Sequence, residues 1–147
     1  MKVRPVTFFV PGEPTAKGRP RMARNGRVYT PEKTAHAESL AKMAASTAMG
    51  QNPPLEGPLS LQMVARFGVP GSWSGARKER ALAGEEMPTK RPDVDNLIKL
   101  VADAMNGIVY GDDAQIVLMS AAKVYAPQAG TEITVETIKT KGDDDEN

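Results

Sequence analysis

The sequence predicts a single α/β (α+β) domain in which a small mixed β-sheet is packed by two main helices. Two stretches, 59–67 and 131–138, alternate apolar and polar residues as half-buried strands do. Two longer stretches, 31–49 and 93–107, carry apolar residues at helical spacing. The chain of 147 residues contains no cysteine, and it is long enough to bury one core without disulfides.

The first 29 residues are predicted to form a strand followed by a long basic loop or hairpin. The apolar run 6–10 indicates the strand, which Pro11 and Gly12 end. Residues 1–42 carry nine Lys or Arg against three Glu, while 143–146 are all acidic, so the net charge of +1 hides a strong asymmetry. A basic segment of this kind suits a phosphate backbone, although it could also serve solubility alone.

The first main helix is predicted to begin at Thr30, Pro31 and Glu32, which supply an N-cap, a first-turn proline and an acid. It is predicted to reach about Met49, where Gly50 stops it. Its apolar face is expected to consist of three residues in its second half, Leu40, Met43 and Ala44.

The rest of the chain is predicted to hold a strand, a helix and two further strands. The long insertion 68–90 after the first of these contains a short helix near 75–83. The second main helix runs from about Asp93–Asp95 to Asn106 and Gly107, with a stripe of Leu97, Ile98, Val101, Ala104, Met105 and Ile108. Strands at 116–125 and 131–138 are expected to pair as a hairpin through 126–130. Residues 1–141 form the domain, and the acidic tail 142–147 is predicted to be disordered.

Two acidic motifs bracket the second main helix. Asp93 and Asp95 stand at its start, Lys99 lies four residues after Asp95, and Asp113 follows eighteen residues after Asp95. Mg²⁺ takes oxygen ligands and keeps several waters, so a few carboxylates suffice to hold it. In an extended segment Asp93 and Asp95 would point to one side, whereas a helix that begins before Asp95 would separate them. The pattern indicates phosphate-ester chemistry, with Lys99 beside the scissile phosphate.

Each of these residues also has a purely structural interpretation. The aspartates at the helix start could cap it. Lys99 could form exposed ion pairs with Asp95 and Asp103, which lie four residues before and after it. If it does not, Asp103 is expected to be solvated or to support the site. Asp112 and Asp113 lie in a turn, where aspartate is common, and one of them could do no more than close it.

No other catalytic arrangement is available. His36 is the single histidine and is interpreted as a surface or interface residue, so a Ser-His-Asp or Cys-His system is excluded. A general base must therefore be a carboxylate, a lysine or a metal-bound hydroxide. Trp73 could stack on a base or cover an edge of the core. The run 6–10 is too short for a signal peptide, and no stretch is long enough to span a bilayer, which predicts a cytoplasmic protein.

The chain resembles the RusA family of Holliday-junction resolvases, many of them encoded by phages and prophages. In the second half the resemblance rests on RPDVDNLIK at 91–99, DAMNG at 103–107 and DDAQI at 112–116. In the first half it rests on VPGEP at 10–14, KGRPR at 17–21 and YTP at 29–31. The resemblance covers most of residues 6–138, and the central motif is the specific part of it.

This resemblance implies a homodimeric, Mg²⁺-dependent endonuclease, with Mn²⁺ as an alternative ion, that cuts four-way DNA junctions by paired symmetric nicks. It implies no organic cofactor and no membrane partner. It places the catalytic, metal-binding aspartates at Asp93, Asp95 and Asp113 and the functional lysine at Lys99. The spacing to Asp113 is one residue shorter than in some members, which leaves Asp112 as an alternative ligand.

DNA contacts are expected from the basic loop and from the segment before Asp93, where Pro92 stands in place of another basic residue found in some members. The expected DNA-binding residues are Lys17, Arg19, Arg21, Arg24, Arg27, Lys90 and Arg91. The first main helix, 31–49, is the expected dimer surface. Alternatives are a less selective metal-dependent nuclease, a nucleotidyl or glycosyl transferase, and a non-catalytic DNA-binding module. A transferase would need a phosphate-cradling loop, and the sequence lacks the Gly-Lys-Ser/Thr of a P-loop. In a binding module the aspartates would only cap a helix and close a turn.

Overall fold

The computed structural model describes residues 5–18, 21–29 and 32–144 and confirms an α+β fold built on one small mixed sheet. The elements are, in chain order, β1 (Pro5–Pro11), β2 (Arg21–Met22), β3 (Val28–Tyr29), α1 (Glu32–Met49), β4 (Leu59–Gly68), α2 (Gly75–Leu82), α3 (Val94–Met105), the 3-10 helix η1 (Asp113–Gln115), β5 (Ile116–Ala126), β6 (Gly130–Thr137) and α4 (Lys141–Asp144).

The four long strands form a sheet in the order β1-β6-β4-β5, and only the β4–β5 pair is parallel. The predicted hairpin between β5 and β6 is therefore wrong, because β4 lies between them. Ala126 pairs with Gly68 of β4 and Gly130 pairs with Arg66, so the connection at 127–129 crosses the end of β4. Alternation of apolar residues predicts that a strand exists, but it does not choose the strand's neighbour.

One face of the sheet packs against α1 and α3 to form the core. The apolar stripe predicted on α3 is confirmed, with Ile108 just beyond the helix packing against the core, and Leu100 and Ala102 are buried in addition. On α1 the predicted face is wrong in part, because Met43 is 66% exposed. The residues that α1 buries are Thr34, Ala41, Ala45 and Met49, and the two alanines let the helix approach its neighbours closely.

The ends of α1 differ in what the structure describes. Thr30 and Pro31, the predicted helix start, lie outside the described residues, and α1 begins at Glu32. At the other end Gly50 adopts a φ of +57°, the left-handed conformation in which glycine ends a helix without steric cost.

The insertion after β4 contains α2, as predicted, and α2 packs near β5. The Ser74 side chain caps α2 by accepting from the Arg77 N–H. Arg77 lies 3.5 Å from the centroid of the Trp73 ring, which also makes an edge contact with Tyr125 at 5.3 Å. Trp73 therefore covers an edge of the sheet and is itself partly covered, which favours the structural interpretation of this residue over base stacking.

The C-terminal tail begins with one helical turn, α4, and residues 145–147 lie outside the described part of the chain. The division at residue 141 stays a prediction. No helix within the described ranges is long and apolar enough to cross a membrane.

Candidate functional site

The N-terminus of α3 presents two exposed carboxylates. Asp93 occupies the N-cap position with φ −70° and ψ 144°, and its carbonyl accepts from the Leu97 N–H at 3.1 Å. Its side chain makes no capping hydrogen bond. The capping interpretation thus accounts for the backbone of Asp93 but leaves its carboxylate unused, although an aspartate here would ordinarily accept from the first-turn amides.

Asp95 lies in the first turn of α3, because the helix begins at Val94. Asp93 and Asp95 are therefore not two residues of one extended segment, and the shared-side geometry expected for such a segment does not apply. Lys99, one turn further on, is exposed like Asp95. In the described part of the chain neither Asp95 nor Lys99 takes part in an ion pair, so the predicted ladder is not formed.

Asp112 and Asp113 have different roles in the turn before β5. Asp112 is the N-cap of η1, and its side chain accepts from the Ala114 N–H at 3.0 Å. This bond and one with Asp113 hold the pKa of Asp112 below its ordinary value. The hydrogen bond with Asp112, burial and the negative charges of Asp112 and Asp103 raise the pKa of Asp113. Asp112 closes the turn, which leaves Asp113 as the carboxylate with no capping role.

Two amide side chains hold this turn in place. The Gln115 amide oxygen accepts from the N–H groups of Gly111 and Asp112, and its NH₂ group donates to the carbonyls of Leu55 and Gly57. The Asn106 side chain accepts from the Asp113 N–H at 2.8 Å. The sequence analysis did not identify Gln115 or Asn106 as site residues. The three-residue spacing of Asp112 and Gln115, which is that of a capping box, could have indicated Gln115.

Tyr110 connects the same turn to the end of α3. Its side chain is fully buried, and its hydroxyl donates to the Ala102 carbonyl at 2.7 Å. A regular helix would have the Asn106 N–H donate to the Ala102 carbonyl, but here it donates to the Asp103 carbonyl. The Tyr110 hydroxyl therefore supplies a donor to the Ala102 carbonyl near the helix end. Burial, followed by the charges of Asp113, Asp103 and Asp112, raises the pKa of Tyr110 far above its ordinary value. Tyr110 is therefore a neutral anchor.

Lys17 links the basic loop to α3. Its ammonium group forms an ion pair with Asp103, and its backbone N–H donates to the Asn96 carbonyl at 3.2 Å. The hydrogen bond to Asp103 is the main cause that raises the pKa of Lys17, with smaller contributions from the charges of Glu38 and Asp113. Asp103 is consequently not simply solvated. Sequence spacing could not reveal this pair, because its members are 86 residues apart.

A surface groove of about 1020 Å³ runs along this junction between loop, α1 and α3. Three cations, Lys17, Lys33 and Arg91, line it together with Asp93 and Asn96. Asp95 does not line the groove. The groove thus combines a free carboxylate with positive charge on both walls, which is what a phosphodiester and an accompanying metal ion would meet.

The segment before Asp93 is held by a lysine that the sequence did not suggest. The ammonium group of Lys123, on β5, donates to the carbonyls of Lys90 at 2.7 Å and Pro92 at 2.9 Å. The Arg91–Pro92 peptide bond is cis. Lys90 and Arg91 are exposed, and their contact with DNA stays a prediction.

The basic loop folds in part as the β2–β3 hairpin. Its turn is closed by the Gly26 N–H to the Ala23 carbonyl at 2.9 Å, and it displays Arg24 and Arg27 in exposed positions. Arg19 lies outside the described residues, as does the side chain of Arg21. The hairpin therefore carries the two exposed arginines between its two strands.

The described residues contain no group of three or more His, Asp or Glu side chains close enough to hold a metal ion. The predicted set of Asp93, Asp95 and Asp113 stays a prediction. The chemistry of the donors fits a hard cation nonetheless: the Asp93 carboxylate makes no capping bond, and Asp113 has a raised pKa caused partly by neighbouring carboxylates. A bound cation would relieve that repulsion.

A carboxylate in a cation-lined groove, on a small α+β domain with a basic hairpin, provides the charges that a metal ion and a phosphate backbone need. Residues 11–136 match the family described as endodeoxyribonuclease RusA, and the chain belongs to this family. It is also 36% identical over 141 residues to the uncharacterized protein YqaN of Bacillus subtilis (strain 168), a match that covers 90% of this chain and 96% of that protein. The transferase alternative is therefore set aside.

Proposed function

We propose that this protein is a Mg²⁺-dependent endodeoxyribonuclease that resolves four-way DNA junctions by paired symmetric nicks in recombination and repair. Membership of the RusA family supports the nuclease activity and the branched substrate. The observation that carries the assignment to particular residues is the free carboxylate of Asp93, which lines one groove with Lys17, Lys33 and Arg91.

Asp93, Asp95 and Asp113 would hold the metal, and Mg²⁺ would supply positive charge and a bound water of lowered pKa. Asp113 suits this role better than Asp112, because the Asp112 carboxylate already caps η1. Gln115 and Asn106 position the Asp113 backbone, and Tyr110 fixes the turn to α3. These groups act on the geometry of the carboxylate rather than on the substrate.

Lys99 would provide a further positive charge at the scissile phosphate. It is exposed and takes part in no ion pair of the described residues, so its ammonium group is available to a phosphate oxygen. Lys17 is different, because Asp103 already holds it. Lys17 would shape the groove wall and contribute its charge there.

Contacts with the DNA backbone would come from the hairpin arginines and from Lys90 and Arg91, of which Arg91 lines the groove. Such contacts place the substrate without reading its sequence, so junction preference would arise from shape. A homodimer would supply two sites related by a two-fold axis, which suits a junction cut at two symmetric positions.

The direct test is incubation of the purified protein with a labelled synthetic four-way junction and a matching linear duplex, each with Mg²⁺ or EDTA. We expect paired nicks in the junction alone and only with Mg²⁺. Cutting of both substrates would indicate a less selective nuclease that uses the same groove. Binding without cutting under all conditions would favour a non-catalytic DNA-binding module and contradict the proposal.

A further inference from the structure

The segment that leads to Asp93 has little support from its own backbone. In the described part of the chain, residues 83–93 join α2 to α3 with no strand or helix between them. Among the described residues, the backbone of 86–92 makes no hydrogen bond to another backbone group. The bonds that it does accept come from the ammonium group of Lys123, at the carbonyls of Lys90 and Pro92. These two bonds therefore decide how firmly the segment is held.

Lys123 reaches this segment from the sheet. It lies near the end of β5 and aligns with Ala65 of β4. Ala65 is fully buried on the helix-covered face, and aligned residues of paired strands point to the same face. The half-buried Lys123 side chain therefore leaves the sheet on the side of α3, and its ammonium group lies 6.0 Å from the centroid of the Phe67 ring.

The segment that Lys123 holds forms part of the groove wall. Arg91, Pro92 and Asp93 line the groove, whereas Lys123 does not. The Pro92 carbonyl belongs to the peptide unit that carries the nitrogen and Cα of Asp93. Because a peptide unit is planar, the 2.9 Å bond from Lys123 to the Pro92 oxygen also restrains the backbone of Asp93. Lys123 thus acts on Asp93 from outside the groove.

We propose that Lys123 is a positioning residue, which holds the backbone before α3 so that the Asp93 carboxylate stays in the groove and available to a metal ion. The free state of this carboxylate agrees with such a role, because Asp93 is an N-cap whose side chain makes no capping bond. The inference rests on the proposed function in one respect, namely that Asp93 is a metal ligand. Groups that orient a metal ligand change metal affinity or activity by about 10–100-fold when they are removed.

The first measurement needs neither metal nor DNA. The full chain is digested with trypsin as wild type, Lys123→Met and Lys78→Met, and mass spectrometry follows cleavage after the exposed Lys90. Lys78 is the matched control, because it is a half-buried lysine on α2 and loses the same charge. We expect faster cleavage after Lys90 in Lys123→Met alone, because the released segment opens more often. Cleavage after Arg24 in the hairpin turn is the internal reference and should be equal in all three proteins.

The second measurement addresses the metal ion. Titration of the protein with Mn²⁺ alone should show an affinity about 10–100-fold lower for Lys123→Met than for the wild type. Single-turnover cleavage of the four-way junction at saturating protein should be slower, while junction affinity in EDTA is unchanged because Lys123 does not line the groove. Lys123→Arg keeps donors for both carbonyls and should recover most of the Mn²⁺ affinity and of the cleavage rate.

Unchanged cleavage after Lys90 in a folded Lys123→Met would overturn the inference, and so would normal Mn²⁺ affinity combined with normal cutting. Weaker junction binding in EDTA with an unchanged Lys90 site would make Lys123 a DNA contact, which also contradicts positioning. A folded Lys123→Arg that recovers neither property would have the same meaning. Thermal denaturation shows whether Lys123→Met folds, and Lys123→Gln takes its place with the same expectations if it does not.

The proposed function fails separately from this inference. A wild type that cuts no junction would contradict the proposed function, and the digestion and the Mn²⁺ titration would still decide the role of Lys123. A wild type that cuts, together with a Lys123→Met that behaves identically in all three assays, would leave the proposed function standing and remove Lys123 from the site.

Discussion

Lys17 and Asp103 form an ion pair that fastens the N-terminal basic loop to the helix that begins at the candidate catalytic aspartates. The pair also lies within electrostatic reach of Asp113, whose charge acts on Lys17. One lysine thus connects three parts of the chain that sequence analysis treats separately: the basic segment, the helix that follows Asp93, and the turn before β5.

Loss of the Asp95 carboxylate should abolish cutting while binding persists. We expect Asp95→Asn to reduce junction cleavage by at least about two orders of magnitude, because a proposed metal ligand becomes a neutral amide. Binding in EDTA should be equal or tighter, since a negative charge near the DNA is lost. Gel-shift and cleavage assays on the same junction measure both effects. Undiminished cutting by this variant would remove Asp95 from the site.

Asp112 and Asp113 should separate into a structural and a functional residue. Asp112→Ala removes a side-chain cap and should lower Tm measurably. Asp113→Asn should abolish cutting, yet it should leave Tm unchanged or slightly raised, because it removes one of several neighbouring negative charges. Thermal denaturation and junction cleavage together test this. The opposite pattern would make Asp112 the ligand.

The ion pair of Lys17 should stabilise the protein over a defined pH range. The pKa of Lys17 is raised above its ordinary value of 10.5, so its contribution is fully present below that pH and is lost as pH rises through the folded-state pKa. The pair is partly exposed and should contribute about 0.2–1 kcal/mol. The Tm difference between wild type and Lys17→Gln should therefore be constant from pH 6 to about 10 and shrink above it. A difference that grows at high pH would refute the pairing.

The hairpin arginines should contribute to DNA affinity through phosphate contacts. For each of Arg24→Gln and Arg27→Gln, we expect the slope of log K against log salt to fall in magnitude by about 1. Arg66→Gln is the matched control, because Arg66 belongs to β4 rather than to the hairpin and pairs with Glu132. Fluorescence titration in EDTA over a range of salt concentrations gives the slopes. Equal slopes in all four proteins would exclude the hairpin from the interface.

Tyr110 should stabilise the end of α3. Tyr110→Phe leaves the buried Ala102 carbonyl without its hydroxyl donor, which should cost about 1–3 kcal/mol of unfolding free energy. Chemical denaturation measures this, and Tyr125→Phe is a control because the Tyr125 ring is only half-buried at the sheet edge. A loss confined to Tyr125→Phe would contradict the anchoring role.

Residue pattern by itself determined the secondary elements and the candidate residues of this protein. The alternation at 59–67 and the helical stripe after Asp93 depend on local periodicity, and the spaced aspartates display their chemistry directly. The basic loop or hairpin was also predicted, from its glycines and its Lys and Arg residues. These features depend on neighbours in the sequence, which is why they could be predicted before any contact was known.

Only the tertiary structure decided which elements meet. It placed β4 between β5 and β6 and directed Ala41 and Ala45, rather than Met43, toward the core. It also paired Lys17 with Asp103. It also assigned the capping bond to Asp112 and left the Asp93 carboxylate without one. Each outcome depends on packing and on hydrogen bonds between distant segments, because many partners satisfy the same local pattern and only the whole fold selects among them.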